Sequence, residues 1–342
     1  MKRWILTILA ALSGALVCSA QPVLKFNDSG EFKIVQFTDL HYDADKAESR
    51  IALKRMDEVI KAERPDLVII TGDLIYSSPA SKAMRIVIGT VASRSVPFCT
   101  VFGNHDAQFD MTRAELYDLV RSFPGCVMPP RDGAPSPDYA LPVMSSDSSS
   151  VAAVLYCIDS NAHVFDKQGR FTGYDCIHPE QVAWYCAQSE AFTSANGGKP
   201  LPSLAFFHIP LPEYHDAVAC ESAKLTGTRM EVACSPENNT GLFGEFKNHD
   251  DVFGVFVGHD HDNDYAVLWQ DILLAYGRFT GGNTEYNHLS NGARVIVLKE
   301  GGKTLDTYIR LKGGEIINRI SYPSTFYPAD WRKRPLDPEC SE

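Results

Sequence analysis

The chain alternates short apolar runs with small polar islands, and this pattern constrains its fold more than any other feature. Apolar runs such as 67–70 and 252–257 are typical of buried β-strands. Helical periods at about 47–62, 80–93 and 113–122 separate the first runs. Five runs end in a polar island: Asp39-Leu40-His41, Gly72-Asp73, Gly103-Asn104-His105-Asp106, His208 and Gly258-His259-Asp260-His261.

Alternating strands and helices in the first half predict a parallel sheet with crossover helices. The segments 124–137, 145–150 and 213–240 are rich in Pro, Gly or Ser, or lack a period, and are expected to be loops. A further helix is expected at about 179–192. We predict an α/β (α+β) fold with four αββα layers, in which two stacked mixed sheets are flanked by helices. The predicted strands are 32–37, 67–70, 98–102, 152–158, 203–207, 252–257, 265–268, 272–276, 294–298 and 304–311.

Residues 1–20 have the pattern of a secretory signal peptide. Two basic residues precede an apolar stretch at 4–17, which is short for a bilayer span, and small residues end at Ala20. We therefore expect an exported protein, periplasmic or secreted, cleaved after Ala20. A lipoprotein attached through Cys18 is the alternative, which Val17 disfavours.

The net charge of the chain limits the classes of binding partner that can be expected. The net charge of −11 argues against a nucleic-acid backbone as the main partner, because phosphate binding requires clustered Lys and Arg. Bound cations would still admit a small phosphorylated substrate. No later stretch is predicted to span a membrane, and no protein partner is implied. Residues 21–342 are predicted to be one domain, with a core at about 32–311 and an irregular tail at about 312–342.

The cysteines permit disulfides if the protein is exported. Cys99 and Cys157 lie inside apolar runs, where free buried thiols are expected. The candidate disulfides are Cys176–Cys186 and Cys220–Cys234.

The polar islands together offer ligands for two metal ions. Residues i and i+2 of a strand face the same way, so Asp39 and His41 can reach one ion, and His259 and His261 can reach a common centre. The carboxylate of Asp73 can bridge two ions. Carboxylates, the amide oxygen of Asn104 and the imidazole of His208 suit two divalent or mixed-valence ions of Mn, Fe, Zn or Co. Each island alone could be a turn cap or a buried polar residue, whereas five in this order indicate a metal centre.

These islands resemble, in order, the motifs of the calcineurin-like metallophosphoesterase family. Four further segments resemble a purple-acid-phosphatase-like branch of plant proteins and fungal relatives. The resemblance extends over about 32–311. The four segments are His208–Tyr214, His259–Tyr265, Tyr276–Gly281 and Gly292–Ile296.

The family resemblance implies a role for each matching residue. His105 would bind no metal; it would protonate the leaving oxygen or stabilise the transition state, with Asp106 orienting its ring. Asp73 would bridge the ions. The first ion would be held by Asp39, His41 and His261, and the second by Asn104, His208 and His259.

One residue departs from the purple acid phosphatase pattern. Gly72-Asp-Leu-Ile-Tyr76 matches a motif in which the tyrosine binds ferric iron, but those enzymes lack a histidine where this chain has His41. Tyr76 is therefore expected to pack beside the ligands. Possible substrate contacts are Arg278, Arg229 and Asn239, whereas His163, His178, His215, His249 and His288 fit no ligand spacing.

The predicted activity is hydrolysis of phosphomonoesters by attack of a metal-bound hydroxide. A phosphodiesterase acting on a cyclic nucleotide, a lipid head group or nucleic acid is the alternative, because the same metal centre serves both reactions. A metal-binding surface protein with an inactive site is the alternative outside enzymes. A missing ligand would favour that last hypothesis, and no ligand is missing.

Overall fold

The computed structural model describes residues 22–327 except for residues 132, 135 and 283. The predicted signal peptide and the predicted tail beyond residue 327 lie outside the described residues. Within the described part, no helix combines the length and the hydropathy needed to cross a bilayer.

Strands and helices alternate through the first half of the chain, as predicted. The strands are β1 (Glu31–Phe37), β2 (Leu67–Thr71), β3 (Phe98–Val101), β4 (Tyr139–Met144), β5 (Val151–Cys157), β6 (His163–Phe165), β7 (Phe171–Tyr174), β8 (Ser203–Phe206), β9 (Leu225–Thr226), β10 (Val252–Val257), β11 (Ala266–Trp269), β12 (Ile272–Tyr276), β13 (Gly292–Lys299), β14 (Leu305–Leu311) and β15 (Ile316–Tyr322). The α-helices are α1 (Arg50–Glu63), α2 (Ala80–Ala92), α3 (Arg113–Arg121), α4 (Pro179–Ala195), α5 (Glu213–Ala219) and α6 (Leu242–His249).

The strands form two large mixed sheets and one small hairpin. The first sheet has the order β15-β14-β13-β1-β2-β3, the second has the order β4-β5-β8-β10-β12-β11-β9, and β6 pairs with β7 alone. Strands β1, β2 and β3 are parallel, as are β5, β8, β10 and β12. The carboxyl ends of parallel strands lie along one edge of a sheet, which is where ligand sites form in such folds.

Side chains from alternate positions of the second sheet enter two different cores. Phe206 and Phe256 pack together with Ile34 of the first sheet, whereas Ala205 and Val255 belong to the core beside α4, α5 and α6. This alternation follows from the two-residue period of a strand. It produces the predicted arrangement of two stacked sheets with helices on the outside.

The second half of the chain contains β7 and α6, which were not predicted, and differs from the prediction at two further segments. The expected loop at 213–240 contains α5 and β9, which are too short to show a period. Part of the expected irregular tail forms β15, which pairs antiparallel with β14 and buries Ile320 and Tyr322. Polar Asn318 and Arg319 interrupt the apolar residues of β15, so the segment lacks the continuous apolar run by which the other strands were predicted.

The cysteines confirm the predicted buried free thiols but not the predicted disulfides. Cys99 and Cys157 are free and buried in β3 and β5, as predicted. The proposed disulfides are wrong, because all four cysteines are free thiols. Two of them have other neighbours: the Cys186 sulfur lies beside Glu245 and His249, and the Cys220 sulfur lies 3.2 Å from the hydroxyl of Ser222.

Candidate metal centre

The carboxyl ends of five parallel strands bring polar side chains to one place between the two sheets. The first sheet provides carboxylates, an imidazole and an amide, and the second sheet provides only imidazoles. Asp39 and His41 follow β1, Asp73 follows β2, Asn104 follows β3, His208 follows β8, and His259 and His261 follow β10.

Six of these side chains, all except Asn104, form two triads, each with its possible ligand atoms within 4.8 Å of one another. All the members are buried. His259 and His261 both reach this centre, but they fall in different triads, as the family resemblance implies, and His259 has a positive φ of 80° outside strand geometry. The triads are Asp39, His41 and His261, and Asp73, His208 and His259.

The Asp73 carboxylate lies between the triads. Its Oδ2 atom is 3.1 Å from Nε2 of His208 and 3.6 Å from Nε2 of His41. Its Oδ1 atom accepts a hydrogen bond of 2.8 Å from the backbone N–H of His105. One oxygen therefore faces both triads, which is the position expected of a bridging carboxylate.

Hydrogen bonds at the far ring nitrogens orient two of the imidazoles. His208 Nδ1 donates to the carbonyl of Thr71 at 2.8 Å, and His261 Nδ1 donates to the carbonyl of Tyr286 at 2.7 Å. Such contacts fix the tautomer and direct the Nε2 lone pair towards a metal. Nε2 of His208 then lies 3.1 Å from Oδ1 of Asn104, so two electron-rich atoms face each other.

The facing ring nitrogens of this arrangement need a proton or a metal ion between them. His41 Nε2 and His261 Nε2 lie 3.0 Å apart, which two lone pairs tolerate only with a proton or a metal ion between them. The Nε2 atom of His259 is buried and has no hydrogen-bond partner among the described residues. A buried ring nitrogen without a partner is costly unless it binds a ligand. The donor set therefore fits two transition-metal ions.

Burial and neighbouring charges shift the pKa values of several side chains at this site. Burial alone would lower the pKa of His208, but the adjacent Asp73 carboxylate outweighs burial and raises that pKa to about 9. Burial raises the pKa of Asp39 and lowers the pKa of His259 well below its usual value. Buried carboxylates and imidazoles in such a cluster are stabilised by a shared cation.

The local backbone is strained where the ligands attach. Asp39, His41 and Asp73 all have positive φ values, of 53°, 43° and 51°. Such conformations cost about 1–3 kcal/mol each and cluster at functional sites. Gly103 allows the close approach, because a Cβ atom there would overlap the Asp73 carboxylate.

The structure brings His163, which sequence reasoning set aside, into contact with the centre. The β6–β7 hairpin carries it to Asn104, whose Nδ2 lies 3.1 Å from Nε2 of His163. This contact turns the amide so that its Oδ1 faces His208. The sequence could not indicate this contact, because His163 lies 59 positions from Asn104 on a hairpin that carries no recognisable motif.

Replacing His163 with Ala is expected to weaken metal binding by roughly 10–100-fold, the usual effect of removing a partner that orients a ligand. The amide of Asn104 would lose its acceptor and rotate freely. Metal titration by calorimetry measures the effect. His215→Ala, an exposed histidine on α5, serves as the control. An unchanged affinity in His163→Ala would show that Asn104 needs no such partner.

His105 lies half-exposed at the edge of the centre. Its Nδ1 atom donates a hydrogen bond of 2.9 Å to Oε1 of Gln108, which directs Nε2 away from this contact. The expectation that Asp106 orients this ring is wrong. The buried Asp106 carboxylate instead accepts hydrogen bonds from the backbone N–H groups of Asp73, Leu74, Ile75 and Gly103.

The side chain of Tyr76 packs beside the ligands. Its ring lies edge-on to those of His41 and His105, with centroids 5.9 Å and 5.2 Å away. This position agrees with the packing role expected when His41 is present.

The structure does not bring the three candidate substrate contacts into the centre. Arg278 is buried and pairs with Asp264 at 2.5 Å, so its guanidinium is occupied in the interior. Arg229 is exposed and its backbone bridges to Asn263. Asn239 is exposed and donates to Glu213 at 2.8 Å. The sequence placed Arg278 in a glycine-rich turn and Arg229 and Asn239 in a predicted loop, and neither placement indicates the partners that these side chains have in the fold.

Two sheets with paired triads at their strand ends define the metallophosphoesterase class of fold. Residues 32–263 match the family model described as calcineurin-like phosphoesterase, and the chain belongs to this family. The resemblance inferred from the five islands is thereby confirmed, and so is the fold class.

Relatives agree with this assignment. The chain is 29% identical over 313 residues to "Probable inactive purple acid phosphatase 14" of Arabidopsis thaliana, covering 81% of this chain and 77% of the relative. It is 30% identical over 314 residues to "Probable inactive purple acid phosphatase 29" of the same plant, covering 80% and 78%. A dimetal phosphatase from Danio rerio shares the fold, with a TM-score of 0.57 at 15% identity over 85% of this chain and 98% of that one.

Proposed function

We propose that this chain is a binuclear-metal phosphoesterase that hydrolyses phosphomonoesters. The observation that carries the proposal is a complete, buried ligand set with a half-exposed histidine at its edge. The ligand set is Asp39, His41, Asp73, Asn104, His208, His259 and His261, and the histidine is His105.

The residues of the chain divide the chemistry between them. Two metal ions, when bound, would supply Lewis-acid polarisation of the phosphoryl oxygens and an activated water. Asp39, His41 and His261 would hold one ion, and Asp73 would contact both. Asn104, His208 and His259 would hold the other. His105 would donate a proton to the departing alcohol oxygen, with Gln108 Oε1 keeping its Nδ1–H engaged.

The names of the two plant relatives favour a second candidate function. Both are called probable inactive, which suggests a metal-binding protein without turnover. The ligand set of this chain supports the enzyme instead, because each of the seven side chains lies at the centre and His105 borders it. Export is also part of the proposal and rests on the sequence of residues 1–20.

The test is side-by-side turnover of p-nitrophenyl phosphate and bis-p-nitrophenyl phosphate with added Mn²⁺, together with metal analysis of protein purified without chelator. We expect about two ions per chain, as a binuclear site requires, and faster turnover of the monoester. Faster turnover of the diester would indicate a phosphodiesterase. Bound metal without turnover of either substrate would indicate the binding protein.

A further inference from the structure

A small cavity of about 80 Å³ opens above the candidate metal centre, and its rim carries no Lys or Arg among the described residues. Half of its lining consists of residues already assigned to the centre. The other half adds two aromatic rings, two carboxyl groups and a thiol. These rim residues are Tyr174, Cys234, Asp260, Glu285 and Tyr286.

One tyrosine stands beside each metal triad. The Tyr174 ring lies edge-on to His259, with centroids 4.4 Å apart at 90°. The Tyr286 ring stacks on His261, with centroids 4.4 Å apart at 21°. Tyr286 is 50% exposed, so its outer face is open to a ligand that enters the cavity. The rings thus flank the path of a substrate to the centre.

Carboxylates surround the exposed ring. Glu285 is half-buried in the cavity wall, and no ion-pair partner for it is present among the described residues. Glu231 accepts hydrogen bonds from the Tyr286 hydroxyl at 3.0 Å and from the backbone N–H of Asp262 at 2.7 Å. Aromatic faces and carboxylates both attract cations, and organic ammonium ions are bound in proteins by such surroundings.

The described rim residues include no basic side chain, so the rim is poorly suited to hold the phosphate of a substrate. The Nε2 atom of His259, which is buried without a hydrogen-bond partner among the described residues, lines the same cavity, so the metal centre to which the proposed function assigns the phosphate borders it. The rim is therefore left for the alcohol part of the ester.

We propose that Tyr174, Tyr286 and Glu285 form a subsite for the alcohol part of the substrate, and that it selects alcohols bearing an organic ammonium group. This inference rests on the proposed function for the phosphate. An anionic alcohol would be repelled by Glu285 and Glu231, whereas a neutral alcohol would gain only contact with the rings.

The test compares kcat/KM for three alkyl phosphates of similar size: phosphocholine, its neutral isostere 3,3-dimethylbutyl phosphate, and the anionic 3-phosphooxypropanoate. We expect phosphocholine to be favoured over the isostere by about 10-fold, the combined effect of a cation–aromatic contact and the charge of Glu285, and the anionic ester to be slowest. Calorimetric binding of phenyltrimethylammonium provides a readout that does not depend on turnover.

Two variants separate recognition from leaving-group acidity. Glu285→Gln should reduce the preference for phosphocholine to about 2–3-fold, because it removes the charge without changing the alcohols. Tyr286→Leu should weaken binding of phenyltrimethylammonium. Glu190→Gln, an exposed carboxylate on α4, is the control and should keep the wild-type preference.

The outcomes distinguish the two proposals. A preference near one, or one unchanged by Glu285→Gln, would overturn the subsite. If no phosphate ester is hydrolysed, the proposed function fails, and calorimetry alone decides the subsite: binding lost in both rim variants supports it, and absence of binding to the wild type refutes it.

Discussion

Replacing Asp73 with Asn should abolish turnover and release metal from the protein. The Asp73 Oδ2 atom lies 3.1 Å from His208 Nε2 and 3.6 Å from His41 Nε2, so one carboxylate serves both triads. The substitution removes a negative charge from each site and places an amide N–H₂ beside atoms that present lone pairs. We expect metal affinity to fall by more than the roughly 10–100-fold that follows removal of a residue hydrogen-bonded to a metal ligand.

Metal content by elemental analysis, together with turnover of p-nitrophenyl phosphate, measures this effect. Asp216→Asn, an exposed carboxylate on α5, is the matched control and should keep both. If Asp73→Asn retained two ions and normal turnover, the carboxylate would not be the bridge.

Replacing His105 with Ala should leave both metal ions bound and slow turnover by roughly 10²–10⁴-fold, the usual range for loss of a general acid. Its ring is half-exposed and packs edge-on against His41 with centroids 5.3 Å apart, and its hydrogen bond to Asp73 comes from the backbone N–H rather than the side chain. The penalty should be largest for alkyl phosphates, because a nitrophenolate leaves without protonation.

Rates for a series of aryl and alkyl phosphates, measured beside metal stoichiometry, decide the role of this histidine. His215→Ala provides the control for loss of an exposed imidazole. Loss of metal in His105→Ala, or an equal penalty for every leaving group, would assign His105 to holding Asn104 in place.

The apolar strands and the clustering of the polar islands could be predicted because their signals are local. An apolar run such as β10 is recognised from its own residues, and the parallel arrangement brings its end beside the ends of β1 and β2. Glycines at such strand ends mark sharp turns or close approaches, as Gly103 does against Asp73. The order of the islands then determines which side chains meet.

Contacts that depend on the assembled sheets could not be predicted. The hydrogen bond of His163 to Asn104 and the packing of Tyr174 on His259 arise only when the β6–β7 hairpin folds over the centre. Asp106 follows His105 directly, yet its carboxylate turns inward to four backbone N–H groups. Adjacency in sequence was a poor guide to its partner.

The candidate ligands come from both sheets, so metal binding would contribute to the stability of the fold. Asp39, His41 and Asp73 follow strands of one sheet, and His208 and His261 follow strands of the other. Each bound ion would therefore have ligands from both sheets and would hold them together. A ligand that binds only the folded state stabilises it by RT ln(1 + [L]/Kd), about 2.7 kcal/mol at a concentration of 100 Kd. Free metal would therefore raise the resistance of this chain to unfolding and proteolysis, independently of catalysis.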